Sequence, residues 1–175
     1  MRGPVDVTRR LIDAEVLHEI VHLPRRIDSA VELPDVLGLP GTSCVAVRLF
    51  DADDALLAAL LPADAAVATT ALARAVGART VRPTPAARVS EVTDSHPGLV
   101  PPVGLPAFVT AVADAAVGDQ EVVYAPTGDG STALKVRAAD LLALLDARVA
   151  PLVEPGPVVL PAGDPWRETP AALRR

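Results

Sequence analysis

The chain has 175 residues, half of them hydrophobic but only 2% aromatic, with a formal net charge of -6. Such a length gives one domain with a sizeable core of Ala, Val and Leu, and the apolar content excludes a disordered chain. The acidic balance excludes a broad nucleic-acid surface, which needs many cation–phosphate contacts, but not a protein that grips only the end of an RNA.

No stretch reaches the ~18 uninterrupted apolar residues of a membrane span. Arg2, Arg9 and Arg10 are not followed by the apolar segment of a secretory signal. The single cysteine, Cys44, rules out an internal disulfide and fits a reducing, cytoplasmic setting. Heavy use of Ala, Arg, Asp and Pro matches a GC-rich bacterial genome. Arg25, Arg26, Arg48, Arg74, Arg79, Arg82, Arg88, Arg137 and the one lysine, Lys135, form no run longer than two. Most of them read as solvated surface charge.

Taken in chain order, Leu11 to Val21 reads as a short helix running into a strand that ends near His22-Leu23-Pro24. Ser29-Ala30-Val31-Glu32 has capping-box spacing, Gly38 is placed to close the helix that follows, and Pro34 predicts a distorted or restarted turn. Cys44–Phe50 and Leu56–Leu61 read as buried strands joined by a four-residue loop, Asp51 to Asp54. Ala65–Val76 is an alanine-rich helix closed by Gly77, with Leu72 and Val76 on its apolar face. A short strand spans Thr80 to Arg82, and Pro85 opens a helix carrying Val89 and Val92. Further strands are expected at Ala107–Thr110, Glu121–Ala125 and Thr132–Val136, with a turn at Thr127-Gly128-Asp129-Gly130. Ala138–Val149 is the last helix, with Leu141, Leu144 and Leu145 inward. From Pro151 onward Pro and Gly recur, giving an extended tail with one strand at Val158–Leu160. Strands in pairs interrupted by helices exclude a clean doubly wound sheet and favour an α+β fold, a mixed, largely antiparallel curved sheet with flanking helices. Residues 1–150 form the domain and 151–175 the tail.

Pro97-Gly98-Leu99-Val100-Pro101-Pro102-Val103-Gly104 holds three prolines and two glycines in eight residues. It can be neither a helix nor a central strand, so it is a rigid loop whose glycines admit close approach of another backbone or a ligand. His18, His22 and His96 are the only histidines, and no Cys or His cluster supports a metal site. Asp51, Asp53 and Asp54 lack the glycine and distal glutamate of a calcium loop and read as a solvated hairpin tip. Gly128 to Thr132 enters a strand, so a hairpin turn is favoured over a phosphate cradle. Cys44 on an apolar strand reads as a small core residue.

In this order the segments resemble the YbaK / prolyl-tRNA-synthetase-associated domain family of aminoacyl-tRNA editing modules. Ile20-Val21-His22 looks like its first strand with a terminal histidine, and Leu37-Gly38-Leu39-Pro40 like the segment closing its first helix. Gly98 to Pro102 fits its G-x-x-x-P loop after a helix ending in Glu91-Val92-Thr93. Gly128-Asp129, Leu134-Lys135-Val136 and Ala139-Asp140-Leu141 resemble its closing hairpin and helix. The resemblance covers roughly Val16 to Leu145.

It implies a YbaK-like fold and a cytoplasmic hydrolase, without cofactor or metal, that cleaves the ester of a mischarged tRNA. Gly98 and Pro102 would place the reacting groups. His22, Leu99, Val100, Pro101, Thr110, Gly128 and Asp129 would line the substrate site, positioning and stabilising charge. The partner implied is the acceptor end of tRNA, not DNA and not a membrane. Two anchors depart from the family: ungapped alignment puts Val45 at the lysine position and Thr110 at that of an aspartate. Arg48 lies on the opposite strand face from Val45. The alternative is an inactive binding or regulatory module for an amino-acid-like ligand or the acceptor end. A third reading is a homodimeric structural protein whose tail wraps a partner.

Overall fold

In the computed structural model, which describes residues 3–153, the strands form two sheets. Helix α1 (Pro4–Asp13) starts well before the predicted Leu11, because Pro4 is tolerated in the first turn and Asp6 Oδ2 accepts the Gly3 N–H at 3.2 Å. Strand β1 (His18–His22) follows. The Ser29–Glu32 capping box forms as expected, on a 3₁₀ turn (Ala30–Glu32), and Pro34 sits in the first turn of a restarted helix α2 (Leu33–Leu37) capped by Gly38.

Strands β2 (Val45–Ala52) and β3 (Ala55–Pro62) pair antiparallel without interruption, from Val45↔Pro62 to Ala52↔Ala55. The connection is therefore two residues, Asp53-Asp54, and not four. Asp53 takes a positive φ of 48°, which an aspartate tolerates. Its carboxylate is not simply solvated, since it accepts the N–H groups of Arg79 and Thr80 at 3.0 Å each. Those bonds hold its pKa below the usual carboxylate range. Asp51 is buried and paired with Arg88 at 3.1 Å.

Helix α3 (Thr69–Val76) begins four residues later than expected and is closed by Gly77. Strand β4 (Val81–Pro83) and helix α4 (Ala86–Thr93), with Val89 buried, match expectation closely. Strand β5 (Val109–Asp114) lies later than predicted, leaving Phe108 exposed, and passes into helix α5 (Ala115–Gly118). Strands β6 (Val122–Pro126) and β7 (Thr132–Arg137) form the closing hairpin. Helix α6 (Ala138–Leu144) ends five residues early, because Asp146 adopts a positive φ of 47° and β8 (Arg148–Ala150) joins the sheet. The strand expected at Val158–Leu160 lies outside the described residues.

The order is β1-β7-β6 in one sheet and β4-β2-β3-β5-β8 in the other, joined by a parallel bridge between Cys44 and Tyr124. Pairings are antiparallel except β3–β5 and β5–β8, a mixed α+β arrangement. Strand β2 is buried at every position, which is why it reads as a continuous apolar run. One of its faces (Val45, Val47, Leu49) enters the main core with Leu11, Val89, Val117, Val136 and Leu141. The other meets two smaller clusters, one under α2 around Ile27, Leu33 and Leu99, one under α3 around Phe50, Leu72 and Leu152. Packing continues to the end of the described chain. Leu152 is fully buried, and Asp114 Oδ2 accepts the N–H groups of Leu152 and Val153 at 2.7 and 3.0 Å.

Candidate functional site

The Pro/Gly loop leaves α4 through Asp94, in a left-handed conformation, and tightens into a 3₁₀ turn over Pro97–Leu99. His96 caps this turn: its Nδ1 accepts the Gly98 N–H at 3.2 Å and its carbonyl accepts the Leu99 N–H at 2.9 Å. Leu99, Val100, Pro101, Pro102 and Val103 are buried, so the loop is anchored along its length.

Glycine is needed at two points of this corner. A Cβ on Gly98 would strike the carbonyl oxygen of Asp28. One on Gly130, whose φ is +71°, would strike the carbonyl oxygen of Ile27 and lie 3.2 Å from Leu99 Cδ1. The approach is locked by the Ile27 N–H donating to the Gly130 carbonyl at 2.8 Å and the Leu23 N–H to that of Ser131 at 2.9 Å. Three backbone segments, at 27–29, 98–99 and 128–131, thus converge.

The turn among them is braced by Asp129. Its Oδ1 accepts the N–H groups of Ser131 and Thr132 at 2.9 and 3.0 Å and the hydroxyls of Thr132 and Thr127 at 3.0 and 3.2 Å. Burial alone would raise the Asp129 pKa, but these donations outweigh it and hold the carboxyl below its usual range. Thr127 and Thr132 are buried, and their hydroxyls lie 2.6 Å apart. Across β1–β7, Thr132 pairs with the exposed His22. Of the residues singled out from sequence, the structure therefore gathers His22, Gly98, Leu99, Gly128 and Asp129 around one corner.

Pro101 and Pro102 are buried in the same loop, but Val45, Val100 and Thr110 lie elsewhere. Val45 and Val100 pack in the main core. Strand β2 holds its register with β3 without a bulge, so the face turned toward Leu99 carries Cys44 and Ala46, both buried, and then Arg48. Arg48 is only 5% exposed, a departure from the surface charge expected of it. Thr110 is exposed on β5, opposite Leu57, whose cluster lies under α3. Cys44 is buried, and desolvation, with Asp64 nearby, pushes its thiol pKa up to about 12, so it stays protonated and inert at neutral pH. Among the described residues no group of three or more His, Cys, Asp or Glu could hold a metal ion. The corner's chemistry is that of fixed backbone dipoles and one ionised turn carboxylate.

Sequence reading did not single out Ile27 and Asp28, whose carbonyls close on Gly130 and Gly98. Gly130 was visible as a turn glycine, but its partner carbonyl at Ile27 carries no signal in sequence. The register of β2 turns Val45 into the main core and Ala46 toward Leu99.

A corner of converging backbones beside a split mixed sheet defines a small α+β module with a positioned-backbone site. The aminoacyl-tRNA editing domain model matches residues 25–144, more than half of the chain, and the chain belongs to that family. Among solved structures it is similar to hypothetical protein APE2540, with a TM-score of 0.79 at 22% identity over 85% of this chain and 99% of that one. It is also similar to a protein described as "a putative trans-editing enzyme for prolyl tRNA synthetase", with a TM-score of 0.73 at 25% identity over 85% of this chain and 95% of that one. No curated protein matches the chain. Among the described residues, no helix is long and apolar enough to cross a membrane.

Proposed function

We infer that this chain is a trans-editing aminoacyl-tRNA deacylase, which hydrolyses the ester joining a wrong amino acid to the 3′ end of its tRNA. The observation that carries the reading is the corner itself: Gly98 and Gly130 admit the carbonyls of Asp28 and Ile27 within a family whose business is this ester. A rigid backbone wall suits a reaction run by holding a carbonyl and a water in fixed relative positions. Gly98 and Pro102 supply the stiff wall, and His22 and Asp129 flank it. The test is incubation with a panel of mischarged tRNAs; no ester cleaved faster than in buffer defeats the reading.

One observation favours a second reading, a module that binds the acceptor end or an amino-acid-like ligand without cleaving it. Where the family resemblance leads one to expect a lysine on β2, the face toward Leu99 carries only Cys44 and Ala46 before Arg48. Hydrolysis gained by Ala46→Lys and absent from the wild type would select this second reading.

A further inference from the structure

We propose that the outer face of the three-stranded sheet β1-β7-β6 is the docking surface for the single-stranded 3′ end of the RNA, with Tyr124 stacking a base and Lys135 and Arg137 meeting phosphates. This rests on the proposed reading of the corner as a tRNA-ester site.

Strand alternation divides the sheet cleanly. Ile20, Leu134, Val136, Val123 and Ala125 turn into the main core. The opposite face carries Glu19, Lys135 and Tyr124 in one row across the three strands, because Glu19 pairs with Lys135 and Lys135 with Tyr124. Arg137, paired with Val122, lies one row further on. Near the corner this side is covered too, since Ala133 is fully buried and Tyr124 packs by one side against the cluster around Ile27, Leu33 and Cys44. Further along β7 it opens, where Lys135 is 40% and Glu19 62% exposed, Arg137 is exposed and Tyr124 is half-buried. Lys135, Arg137 and Val122 also line a shallow groove of about 240 Å³.

Charge decides the occupant. The chain carries -6 overall, yet this face sets Lys135 and Arg137 against Glu19 alone. The Lys135–Glu19 pair, 3.0 Å apart, is exposed and therefore weak, so a phosphate can take the ammonium from it. Arg137 has no ion-pair partner among the described residues. A sheet face with one aromatic ring between aliphatic side chains and two cations suits unpaired RNA, whose bases stack on such rings. The chain's only tyrosine stands there. The direction also fits. Strand β7 starts at Thr132, bonded to Asp129 at the corner, and at ~3.4 Å per residue reaches Lys135 after roughly 10 Å and Arg137 after roughly 17 Å. That is the length of about three to five stacked nucleotides.

The experiment is fluorescence anisotropy of the full chain with an uncharged RNA hairpin carrying a single-stranded 3′ overhang and with the same hairpin made blunt. The overhang hairpin should bind more tightly. Tyr124→Leu, which keeps apolar packing, should weaken it by about tenfold or more, and Tyr124→Phe should leave it unchanged. Lys135→Gln with Arg137→Gln should lower the salt slope by about 1.4. Equal binding of both hairpins, or variants that bind like the wild type, would overturn the assignment. So would a concentration-dependent dimer that Tyr124→Leu dissociates without changing RNA affinity, since the face would then belong to a second copy. Ester cleavage measured in parallel separates the two readings. Cleavage with KM indifferent to these variants removes the surface and leaves the deacylase. Overhang binding that needs Tyr124, Lys135 and Arg137 without cleavage removes the deacylase and leaves the surface.

Discussion

At Gly130 a single hydrogen stands where any other side chain would meet the Ile27 carbonyl, at a φ of +71°. Gly130→Ala therefore combines backbone strain with displacement of the 23–29 segment, at a cost of at least about 2 kcal/mol. Thermal unfolding should show a fall in Tm of about 4–8 °C. Asp129 acts through charge. Its folded pKa lies below the unfolded value of about 3.9, so its stabilisation is full above that value and is lost as pH falls through the folded pKa. Asp129→Asn should flatten the acid side of the stability profile below about pH 4, read from urea midpoints; Asp53, shifted the same way, keeps some slope in the variant. Val45 is fully buried in the main core. Val45→Lys should cost about 4 kcal/mol or more, equivalent to three pKa units of desolvation, and should fail to fold before it could restore any reaction.

Elements whose ends are written in local chemistry were legible: the Ser29–Glu32 box, Gly38, Gly77 and the Pro85 start all stand where side-chain capping or fixed dihedrals dictate. Those set by pairing were not. Helix α6 stops at Leu144 because β8 adds to β5, a contact between residues more than thirty positions apart that no local pattern encodes. The β2–β3 connection shrank because Asp51 and Ala52 continue the ladder. Asp114 is the link that made the later strand invisible. It caps α5 through the Ala116 N–H at 2.8 Å while clamping Leu152 and Val153. Asp114→Ala leaves three donors without their acceptor and should cost about 2–4 kcal/mol. Hydrogen exchange at Leu152 and Val153 should accelerate, and unchanged protection would refute the clamp.

For the whole molecule, the fold class and the loop could be argued from residues alone, because Pro and Gly spacing and strand pairing leave few architectures. The inventory of the corner could not. Val45 and Ala46 are neighbours in sequence, and only the register of β2 against β3 decides which of them faces Leu99. The close carbonyls of Ile27 and Asp28 belong to main chain, which sequence does not distinguish. The proposed deacylase function turns on whether that corner places an ester for hydrolysis. The direct measurement is release of the amino acid from a panel of mischarged tRNAs by the purified wild-type chain. At least one of them should be hydrolysed faster than in buffer, at a rate that falls when Gly98→Ala disturbs the wall. A panel in which every ester survives as it does in buffer contradicts the claim.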